Sequence, residues 1–349
     1  MKTIVLCGGG TAGHIMPLVA LLPYLKKKFD TIAYFSSGKE IEKRLMNDPQ
    51  VKIFVISPPA FRRSLSFENL LIPAKLSKSV KECKNYLTRL KADMVFSKGG
   101  YCALPVCLAA KSLKIPYFCH ESDLSLGLAN KITYKKAEKL LTVFEDTAVK
   151  YGGVCVGAPI RDDFGSLSRL QAKNKLGIHD KKPVLLVTGG SQGSRTINAA
   201  VRNNLGELVK RFNVVHLCGK GNKSGNKSIN GYFEYEFADM NVCLTACDLV
   251  LSRGGSNTLF EIMYCKKPAV IVPLKKGSRG DQKKNADYFS NKGALIECDE
   301  HYLDEKIITL LDDLWRNKGM VINNMNKLNI QNGTKATAKI ICDFIQSSI

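Results

Sequence analysis

The sequence TIVLCGGGTAGH at residues 3–14 joins a short apolar run to a glycine turn, and a helical pattern begins at His14. About 180 residues later, PVLLVTGGSQGS at residues 183–194 repeats this arrangement, and a helical pattern follows through Asn198 and Val201. Apolar runs rich in β-branched residues that end in glycines predict buried strands followed by tight turns. Each stretch therefore predicts a strand, a glycine turn and a helix.

Other short apolar runs extend this pattern through both halves of the chain. In the first half they predict strands buried on both faces of a parallel sheet at Val51–Ile56, Met94–Phe96 and Tyr117–Cys119. In the second half the predicted strands are Asn213–Leu217, Leu249–Ser252 and Ala269–Val272. Helical stretches lie between strands, as at Leu70–Leu90 and Leu104–Leu113. The alternation predicts an α/β protein of two doubly wound, Rossmann-like units that face each other across a cleft.

The polar, glycine-containing segment Gly157–Lys182 indicates where one unit ends and the next begins. We predict an N-terminal domain over residues 1–160 and a C-terminal domain over residues 161–335. A final helical stretch, about Ala336–Ile345 within residues 336–349, could pack on either unit.

Charge is the unusual feature of the composition. Among 349 residues, 52 basic and 31 acidic residues give a net charge of +21, which favours nucleic acid, phosphorylated small molecules or an acidic membrane surface as partners. The 45% apolar content excludes a disordered chain. The twelve cysteines form no CxxC pair, which favours reduced thiols over a zinc site. The apolar run Ile15–Leu25 is shorter than the roughly 20 residues that a membrane-spanning helix needs.

The first glycine turn, GGGTAG at residues 8–13, contains the pattern GxGxxG. Such a turn permits close backbone approach and directs helix N–H groups at an anion, although it can also be only a tight connection. A dinucleotide site further needs an acidic residue about 20 residues on, at the end of the second strand. Here the strand Thr31–Phe35 ends in Ser36-Ser37-Gly38-Lys39. A Rossmann-type nucleotide-dependent oxidoreductase therefore remains only the alternative function.

A third glycine turn, RGGSNT at residues 253–258, follows the predicted strand Leu249–Ser252, and Glu261 lies one to two turns into the next helix. A carboxylate there can accept hydrogen bonds from both hydroxyls of a ribose, or it can be a solvated charge on the helix. The later segment RGDQKKNA, residues 279–286, brings Asp281, Gln282 and Asn285 to the end of the next strand, a set suited to sugar hydroxyls.

Seven segments in this order resemble the bacterial peptidoglycan N-acetylglucosaminyltransferases: GGGTAGHIMP, FSKGGYCALP, HESDLSLGLANK, GAPIRDDF, GGSQGSRTIN, SRGGSNTLFEIM and RGDQKKNA. The resemblance covers nearly the whole chain. It implies a GT-B fold, with an acceptor- and membrane-binding N-terminal domain, a UDP-N-acetylglucosamine domain and a last helix that returns to the N-terminal domain. The implied reaction is an inverting transfer of N-acetylglucosamine to the muramoyl 4-hydroxyl of lipid I (undecaprenyl-diphospho-muramoyl-pentapeptide), giving lipid II for the cell wall.

The resemblance also assigns donor-binding residues. It assigns Ser191 to the diphosphate of the donor and Arg161 to a donor-binding position, and it places the uracil near Phe237–Met240. Asp123 stands where many members of the family have an asparagine that reaches the donor. The residues expected at the nucleoside and the sugar are Ser256, Asn257, Thr258, Glu261 and Gln282.

For the general base, histidine suits neutral pH. Among the five histidines, His14 stands at the first glycine turn, where the positive end of the helix dipole favours its neutral, proton-accepting form. Glu121 is the runner-up base, although a positioning role is favoured for it. The same turn would bind the acceptor diphosphate through Thr11, Ala12 and Gly13. GT-B enzymes stabilise the departing UDP with helix N-termini and cations, so neither metal nor cofactor is expected.

The acceptor carries a polyprenyl chain, so we expect a peripheral protein at the cytoplasmic face of the cell membrane. Residues 62–91 hold eight basic and two acidic residues among apolar ones such as Phe67 and Ile72, and Phe61 stands directly before them. This composition favours an anionic leaflet, or a solvated basic helix. Nucleic acid is not expected, because aromatic residues do not alternate with the basic ones and no nucleic-acid-binding motif is present.

Overall fold

The computed structural model describes residues 1–59, 72–190, 192–225, 229–274 and 280–347. The chain divides into two compact units, Met1–Asp162 with Asn332–Ile349, and Asp163–Gln331. Each unit is built on its own parallel β-sheet. All twelve cysteines are free thiols.

The first unit carries a seven-stranded sheet in the order β3-β2-β1-β4-β5-β6-β7. Its strands are β1 (Thr3–Cys7), β2 (Thr31–Ser36), β3 (Val51–Val55), β4 (Met94–Ser97), β5 (Tyr117–Glu121), β6 (Lys139–Thr142) and β7 (Val154–Cys155). Its helices up to the chain division are α1 (Ala12–Leu25), α2 (Glu40–Leu45), α3 (Ile72–Leu90), α4 (Ala103–Ser112), α5 (Leu128–Thr133) and α6 (Glu145–Tyr151). The order reverses at β1 and β4, where a doubly wound sheet places its ligand.

The second unit carries a six-stranded parallel sheet in the order β10-β9-β8-β11-β12-β13. Its strands are β8 (Val184–Thr188), β9 (Asn213–Leu217), β10 (Tyr232–Tyr235), β11 (Leu249–Ser252), β12 (Ala269–Ile271) and β13 (Ile296–Glu297). Its helices are α7 (Arg169–Lys175), α8 (Arg195–Asn203), α9 (Leu205–Arg211), α10 (Met240–Ala246), α11 (Ser256–Tyr264), α12 (Asp281–Ser290) and α13 (Leu303–Lys327). The order reverses at β8 and β11, both followed by glycine turns.

The last helix, α14 (Thr334–Ser347), belongs to the first unit and packs against α1. Ile341 and Ile345 are buried there, and the ring of Phe344 lies 5.0 Å from that of Phe118 on β5. Backbone hydrogen bonds fix the crossing: Gly333 N–H donates to the carbonyl of Ala158 across 2.8 Å. The helix covers apolar sheet surface that would otherwise be exposed, which stabilises the first unit by burial.

The buried strands of the two sheets coincide with apolar runs of the sequence. Every residue of β1, β8 and β9 is buried. The expectation for Val51–Ile56 is wrong in one respect. It predicts a strand buried on both faces, but β3 lies at the edge of the sheet and, within the part of the chain that the structure describes, pairs only with β2. The side chains of Ile53 and Val55 are therefore 39% and 50% exposed. The predicted helix Leu70–Leu90 corresponds to α3 from Ile72 on, and residues 70–71 lie outside the described residues.

None of the helices among the described residues combines the length and the apolar character needed to cross a bilayer.

Candidate functional site

The first glycine turn connects β1 to α1 at the carboxyl edge of the first sheet. Two other segments approach it too closely for side chains. A Cβ at Gly8 would lie 2.7 Å from the Cβ of Lys98, and a Cβ at Gly10 would lie 2.7 Å from the ring of Tyr101. Gly10 also has φ +94, which favours glycine. The glycines are thus explained by the packing of this turn against the loop that follows β4.

A buried carboxylate that the sequence did not reveal holds the same turn. Glu42, on the short helix α2, is fully buried, and its Oε1 accepts the backbone N–H of Gly10 at 2.7 Å. The carboxylate also accepts hydrogen bonds from the hydroxyl of Ser36 and from the N–H and hydroxyl of Ser37. An internal anion therefore occupies the Gly10 amide, and a nucleotide diphosphate would have to compete with it.

His14 is the third residue of α1, and its ring is fixed on two sides. Its Nδ1 lies 3.0 Å from the hydroxyl of Thr11. A Cβ at Gly100, in the loop after β4, would come within 3.3 Å of Nε2. Thr11 and Gly13 are exposed, and Ala12 and His14 are half-buried. The fold thus places all four predicted residues of this turn together at the sheet edge.

Glu121 ends β5 and organises the loop that follows it. Its carboxylate accepts the backbone N–H groups of Asp123 at 3.1 Å and Gly127 at 2.8 Å, and the amide of Asn130 at 2.9 Å. Only 6% of the residue is exposed. These three hydrogen bonds occupy both oxygens, an arrangement that suits a positioning role better than proton abstraction. Asp123 is brought to the same edge of the sheet as the first glycine turn.

Lys98 is a second charged residue that sequence reasoning missed. It directly follows β4, is 3% exposed, and its ammonium donates to the hydroxyl of Ser122 at 2.6 Å. Burial lowers the pKa of Lys98 to about 8, although the carboxylates of Glu121 and Asp123 counteract this. The signal available in the sequence was a lysine between an apolar strand and two glycines, where a solvated charge would be unusual.

In the second unit, the turn after β8 packs tightly against the chain that follows β9. Gly193 has φ +75, and a Cβ there would lie 2.0 Å from the carbonyl oxygen of Cys218. Ser194 caps α8 by accepting the N–H of Ile197 at 3.4 Å. Ser191, predicted to bind the diphosphate, lies outside the described residues. The described part of the turn is rich in glycine and leads directly into the N-terminus of α8.

A buried polar network supports this turn from below. Asn198 on α8 donates to the carbonyl of Cys218 at 3.0 Å, and its side-chain oxygen lies 3.0 Å from Nε2 of His216. Nδ1 of His216 lies 2.8 Å from the Tyr232 hydroxyl, which donates to Glu234 at 2.8 Å. Burial lowers the pKa of His216 to about 4, so this histidine is neutral and structural at pH 7.

The third glycine turn leads from β11 into α11 and contacts α12. A Cβ at Gly254 would lie 2.6 Å from the carbonyl oxygen of Gln282. The side-chain oxygen of Gln282 accepts the N–H of Leu274 at 2.9 Å, which ties α12 to the loop after β12. Predicted residues that share this edge are Ser256, Asn257, Thr258 and Glu261 in the first two turns of α11, and Gln282 in the first turn of α12. Glu261 is half-buried, whereas Asn285 is fully buried.

Arg253, which sequence reasoning did not single out, anchors the third turn. Its guanidinium is buried and donates to the carbonyl of Val272 at 3.1 Å and to Glu300 at 2.9 Å. Arg161 belongs to the first unit, one residue before the boundary at Asp162. Neither unit alone therefore brings Arg161 together with the predicted residues of α11 and α12. In the predicted uracil segment, Phe237 is exposed and Asp239 caps α10.

Solved structures share this architecture. The crystal structure titled Acinetobacter baumannii MurG aligns with a TM-score of 0.73, 22% sequence identity, and coverage of 99% of this chain and 100% of that chain. The Streptomyces sp. SF2575 glycosyltransferase SsfS6, complexed with thymidine diphosphate, aligns with a TM-score of 0.70 at 17% identity over 99% of this chain and 100% of that chain. Two Rossmann-like units with glycine turns at their sheet edges thus give this protein the GT-B fold.

The chain belongs to glycosyltransferase family 28: residues 4–142 match the N-terminal domain of that family, and residues 184–341 match its C-terminal domain. A relative from Clostridium botulinum (strain Hall) is 39% identical over 98% of this chain and 99% of its own length. A relative from Clostridium tetani is 38% identical over 95% of each chain. Both are named UDP-N-acetylglucosamine--N-acetylmuramyl-(pentapeptide) pyrophosphoryl-undecaprenol N-acetylglucosamine transferase.

Proposed function

We propose that this protein transfers N-acetylglucosamine from UDP-N-acetylglucosamine to the muramoyl 4-hydroxyl of lipid I, with inversion, and so forms lipid II. The relatives' shared name supports this reaction across nearly the whole chain. The observation in the structure that carries the proposal is the third glycine turn. It precedes the N-terminus of α11, and Glu261 follows within two helical turns.

In the proposed donor site, the N-terminus of α11 lies toward the phosphates, because helix N–H groups and the helix dipole attract anions, and Ser256 contacts the nucleoside. The carboxylate of Glu261 accepts hydrogen bonds from the two ribose hydroxyls. Asn257 and Thr258 complete the nucleoside site, and Gln282 contacts the sugar. Since the side-chain oxygen of Gln282 accepts the backbone N–H of Leu274, we expect a ligand to contact the NH2 group of that side-chain amide.

Departure of UDP concentrates negative charge on its diphosphate. The proposed stabilising groups are the turn containing Ser191, the helix N-termini, and the permanently charged guanidinium of Arg161. One preorganised donor aimed at developing charge contributes about 10²–10³ in rate.

On the acceptor side, the 4-hydroxyl of the muramoyl sugar must lose a proton as it attacks the anomeric carbon. We assign this step to His14, which stands in the first turn of α1 beside the first glycine turn, with its Nδ1 3.0 Å from the hydroxyl of Thr11. The backbone at Thr11, Ala12 and Gly13 receives the acceptor diphosphate at the N-terminus of α1, where Thr11 and Gly13 are exposed. Glu121 and Asp123 shape the neighbouring loop, and Asp123 faces the donor sugar during transfer.

Ligand-dependent thermal stabilisation tests the donor site. UDP-N-acetylglucosamine should raise the melting temperature, because a ligand at 100 times its Kd stabilises the folded state by about 2.7 kcal/mol. Glu261→Gln should abolish the shift. Glu305→Gln, at an exposed glutamate in the first turn of α13, should retain it. Stabilisation by NAD instead of UDP-N-acetylglucosamine would favour the oxidoreductase alternative.

We also propose that the first unit meets an anionic membrane surface. On α3, the described residues present an exposed basic face with Lys75, Lys78, Lys81 and Arg89. The predicted apolar companions Phe61 and Phe67, with Arg62 and Arg63, lie outside the described residues. Cations near an anionic leaflet contribute about 1 kcal/mol each.

Liposome flotation tests this contact. Vesicles containing anionic lipid should bind the protein, and salt should release it, because surface electrostatics are screened. The double variant Lys75→Glu with Lys78→Glu should weaken binding. Lys175→Glu with Lys181→Glu makes the same charge change at exposed sites of the second unit and should leave binding nearly unchanged. Equal binding to neutral vesicles at every salt concentration would contradict the proposal.

A further inference from the structure

Lys98 links the first glycine turn to the segment Glu121–Asp123. Its backbone N–H donates to the carbonyl of Cys7 at 2.7 Å, at the end of β1. Its Cβ lies against Gly8, where a side chain could not fit. Its ammonium reaches the next strand along the sheet and donates to Ser122 at 2.6 Å. One residue thus connects the carboxyl ends of β1, β4 and β5.

The loop that begins at Lys98 also limits the position of His14. Gly100 lies two residues further on, and its left-handed backbone (φ +80) faces the imidazole ring closely enough that a Cβ would be 3.3 Å from Nε2. A movement of Lys98 would therefore displace the His14 ring through Gly100. It would also displace the segment Glu121–Asp123 through Ser122.

The charged and titratable groups that face the ammonium come from β5 and the segment after it. The carboxylates of Glu121 and Asp123 favour the charged lysine, whereas burial opposes it and leaves the pKa of Lys98 at about 8. His120, fully buried on β5, stays neutral because burial and the charge of Lys98 hold its pKa well below the usual range. Lys98 is then the cation that balances the two carboxylates at neutral pH.

We propose that Lys98 is a positioning residue for the transfer reaction: its buried ammonium fixes the segment Glu121–Asp123 relative to His14, and transfer requires the charged form of Lys98. The proposal rests on the proposed function. Lys98 is 3% exposed and is assigned no contact with either substrate. It acts through Ser122, Glu121 and Asp123.

The test measures kcat against pH at saturating UDP-N-acetylglucosamine with a soluble lipid I analogue. The kcat of the wild-type protein should fall above pH 8 as Lys98 loses its proton. Lys98→Met should lower kcat at pH 7 by about tenfold to a hundredfold, the scale of a misplaced catalytic group, and should remove the decline near pH 8. The KM for UDP-N-acetylglucosamine should change less than kcat, because the proposed nucleotide contacts other than Arg161 lie in the second unit.

Lys26→Met is the matched control. Lys26 belongs to the same unit, pairs with Asp48 at 2.5 Å, and lies just past the end of α1 opposite to His14. Its replacement removes the same charge and should leave the pH profile of kcat unchanged.

Stability provides a readout that distinguishes positioning from a general loss of structure. A lysine whose pKa is lowered on folding makes the unfolded chain bind more protons between the two pKa values. The stability of the wild type relative to Lys98→Met should therefore rise from pH 8 toward pH 10.5, while the kcat of the wild type falls. Opposite directions for stability and activity are not expected if Lys98 only holds the fold together.

If Lys98→Met does not fold, the pH dependence of kcat can instead be compared between the wild type and Ser122→Ala. Loss of this acceptor leaves the ammonium less stabilised, so the decline of kcat should begin at lower pH. Wild-type pH profiles in the folded variants would overturn the role of Lys98 and leave the transfer activity standing. A wild-type protein that transfers no N-acetylglucosamine would instead contradict the proposed function, and the Lys98 proposal with it.

Discussion

The backbone N–H of Gly10 donates to Oε1 of Glu42 across 2.7 Å, inside the glycine turn that opens the chain. The sequence pattern of this turn is that of a phosphate-binding loop, yet the amide of Gly10 is already paired with an internal carboxylate. The turn therefore has a structural anion of its own. The amides of Thr11, Ala12 and Gly13, nearer to α1, are the ones proposed for the acceptor.

Replacement of Glu42 should destabilise the first unit strongly. In Glu42→Ala, the buried N–H of Gly10 and the hydroxyl of Ser36 lose their acceptor, and each buried unsatisfied polar group costs about 1–3 kcal/mol. Urea unfolding should show a loss of about 3 kcal/mol or more, and transfer activity should fall. Glu40→Ala, at an exposed position of the same helix, should change stability by about 0.5 kcal/mol or less. A wild-type stability for Glu42→Ala would disprove the role given to this carboxylate.

Gly100→Ala should disturb His14 and the first glycine turn beside it. The substitution places a Cβ 3.3 Å from Nε2 of His14 and 3.2 Å from the carbonyl oxygen of Gly9, and it strains a backbone at φ +80, which costs about 1–2 kcal/mol. Gly152→Ala is the matched control, because its φ of +67 carries the same strain with no atom within 4 Å. Both variants should lose similar stability, but only Gly100→Ala should lose kcat, and both should keep the thermal shift with UDP-N-acetylglucosamine. Equal activity of the two variants would count against His14 as the base.

Gly193→Ala should abolish donor binding in the second unit. A Cβ 2.0 Å from the carbonyl oxygen of Cys218 cannot be accommodated, so the turn before α8 must move. We expect no thermal shift with UDP-N-acetylglucosamine. Gly221→Ala, with φ +70 and no atom within 4 Å, should keep the shift despite its own backbone strain. Retained binding in Gly193→Ala would show that this turn does not contact the nucleotide.

The buried polar network that contains His216, Tyr232 and Glu234 leads us to expect that the second unit loses stability in acid. Hydrogen bonds from Arg202, Ser224 and Tyr232 outweigh burial and lower the pKa of Glu234 to about 2. Because the folded state holds this proton less tightly than the unfolded chain, the stabilisation is present above pH 4.5 and is lost as the pH falls toward 2. Glu234→Gln should cost about 2 kcal/mol at pH 7, allowing for partial solvent screening.

The measurement is denaturant unfolding followed by the fluorescence of Trp315, which is the single tryptophan of the chain and lies on α13 of the second unit. The difference between wild type and Glu234→Gln should shrink below pH 4.5 and vanish near pH 2. A difference that stays constant over this range would exclude an ionised Glu234 as its source.

Local sequence patterns were sufficient for the strands of both sheet centres. The predicted strands Asn213–Leu217 and Leu249–Ser252 match β9 and β11 residue for residue, because continuous apolar runs bounded by turns are typical of strands buried on both faces. The peripheral strands β7, β10 and β13 were not predicted. They are short or only partly buried, so hydrophobicity gives little signal there.

The sequence patterns did not predict which charged residues are buried in the interior. Glu42 lies in a charged helix and Lys98 in a lysine-rich chain, so each resembles a solvated charge until the packing around it is known. Glu121 could be placed at a strand end from the sequence, but its commitment to the loop up to Asn130 depends on contacts that only the folded chain supplies.

The sequence by itself determined where the central strands lie, where the glycine turns stand and which polar residues follow them, because apolar runs and glycine conformations act over a few neighbouring residues. The tertiary structure decided which charged residues are buried and which parts of the chain they hold in place. Glu42 holds the first glycine turn, and Lys98 holds the segment Glu121–Asp123. The physical reason is that desolvation and hydrogen-bond geometry depend on atoms brought together from distant parts of the chain.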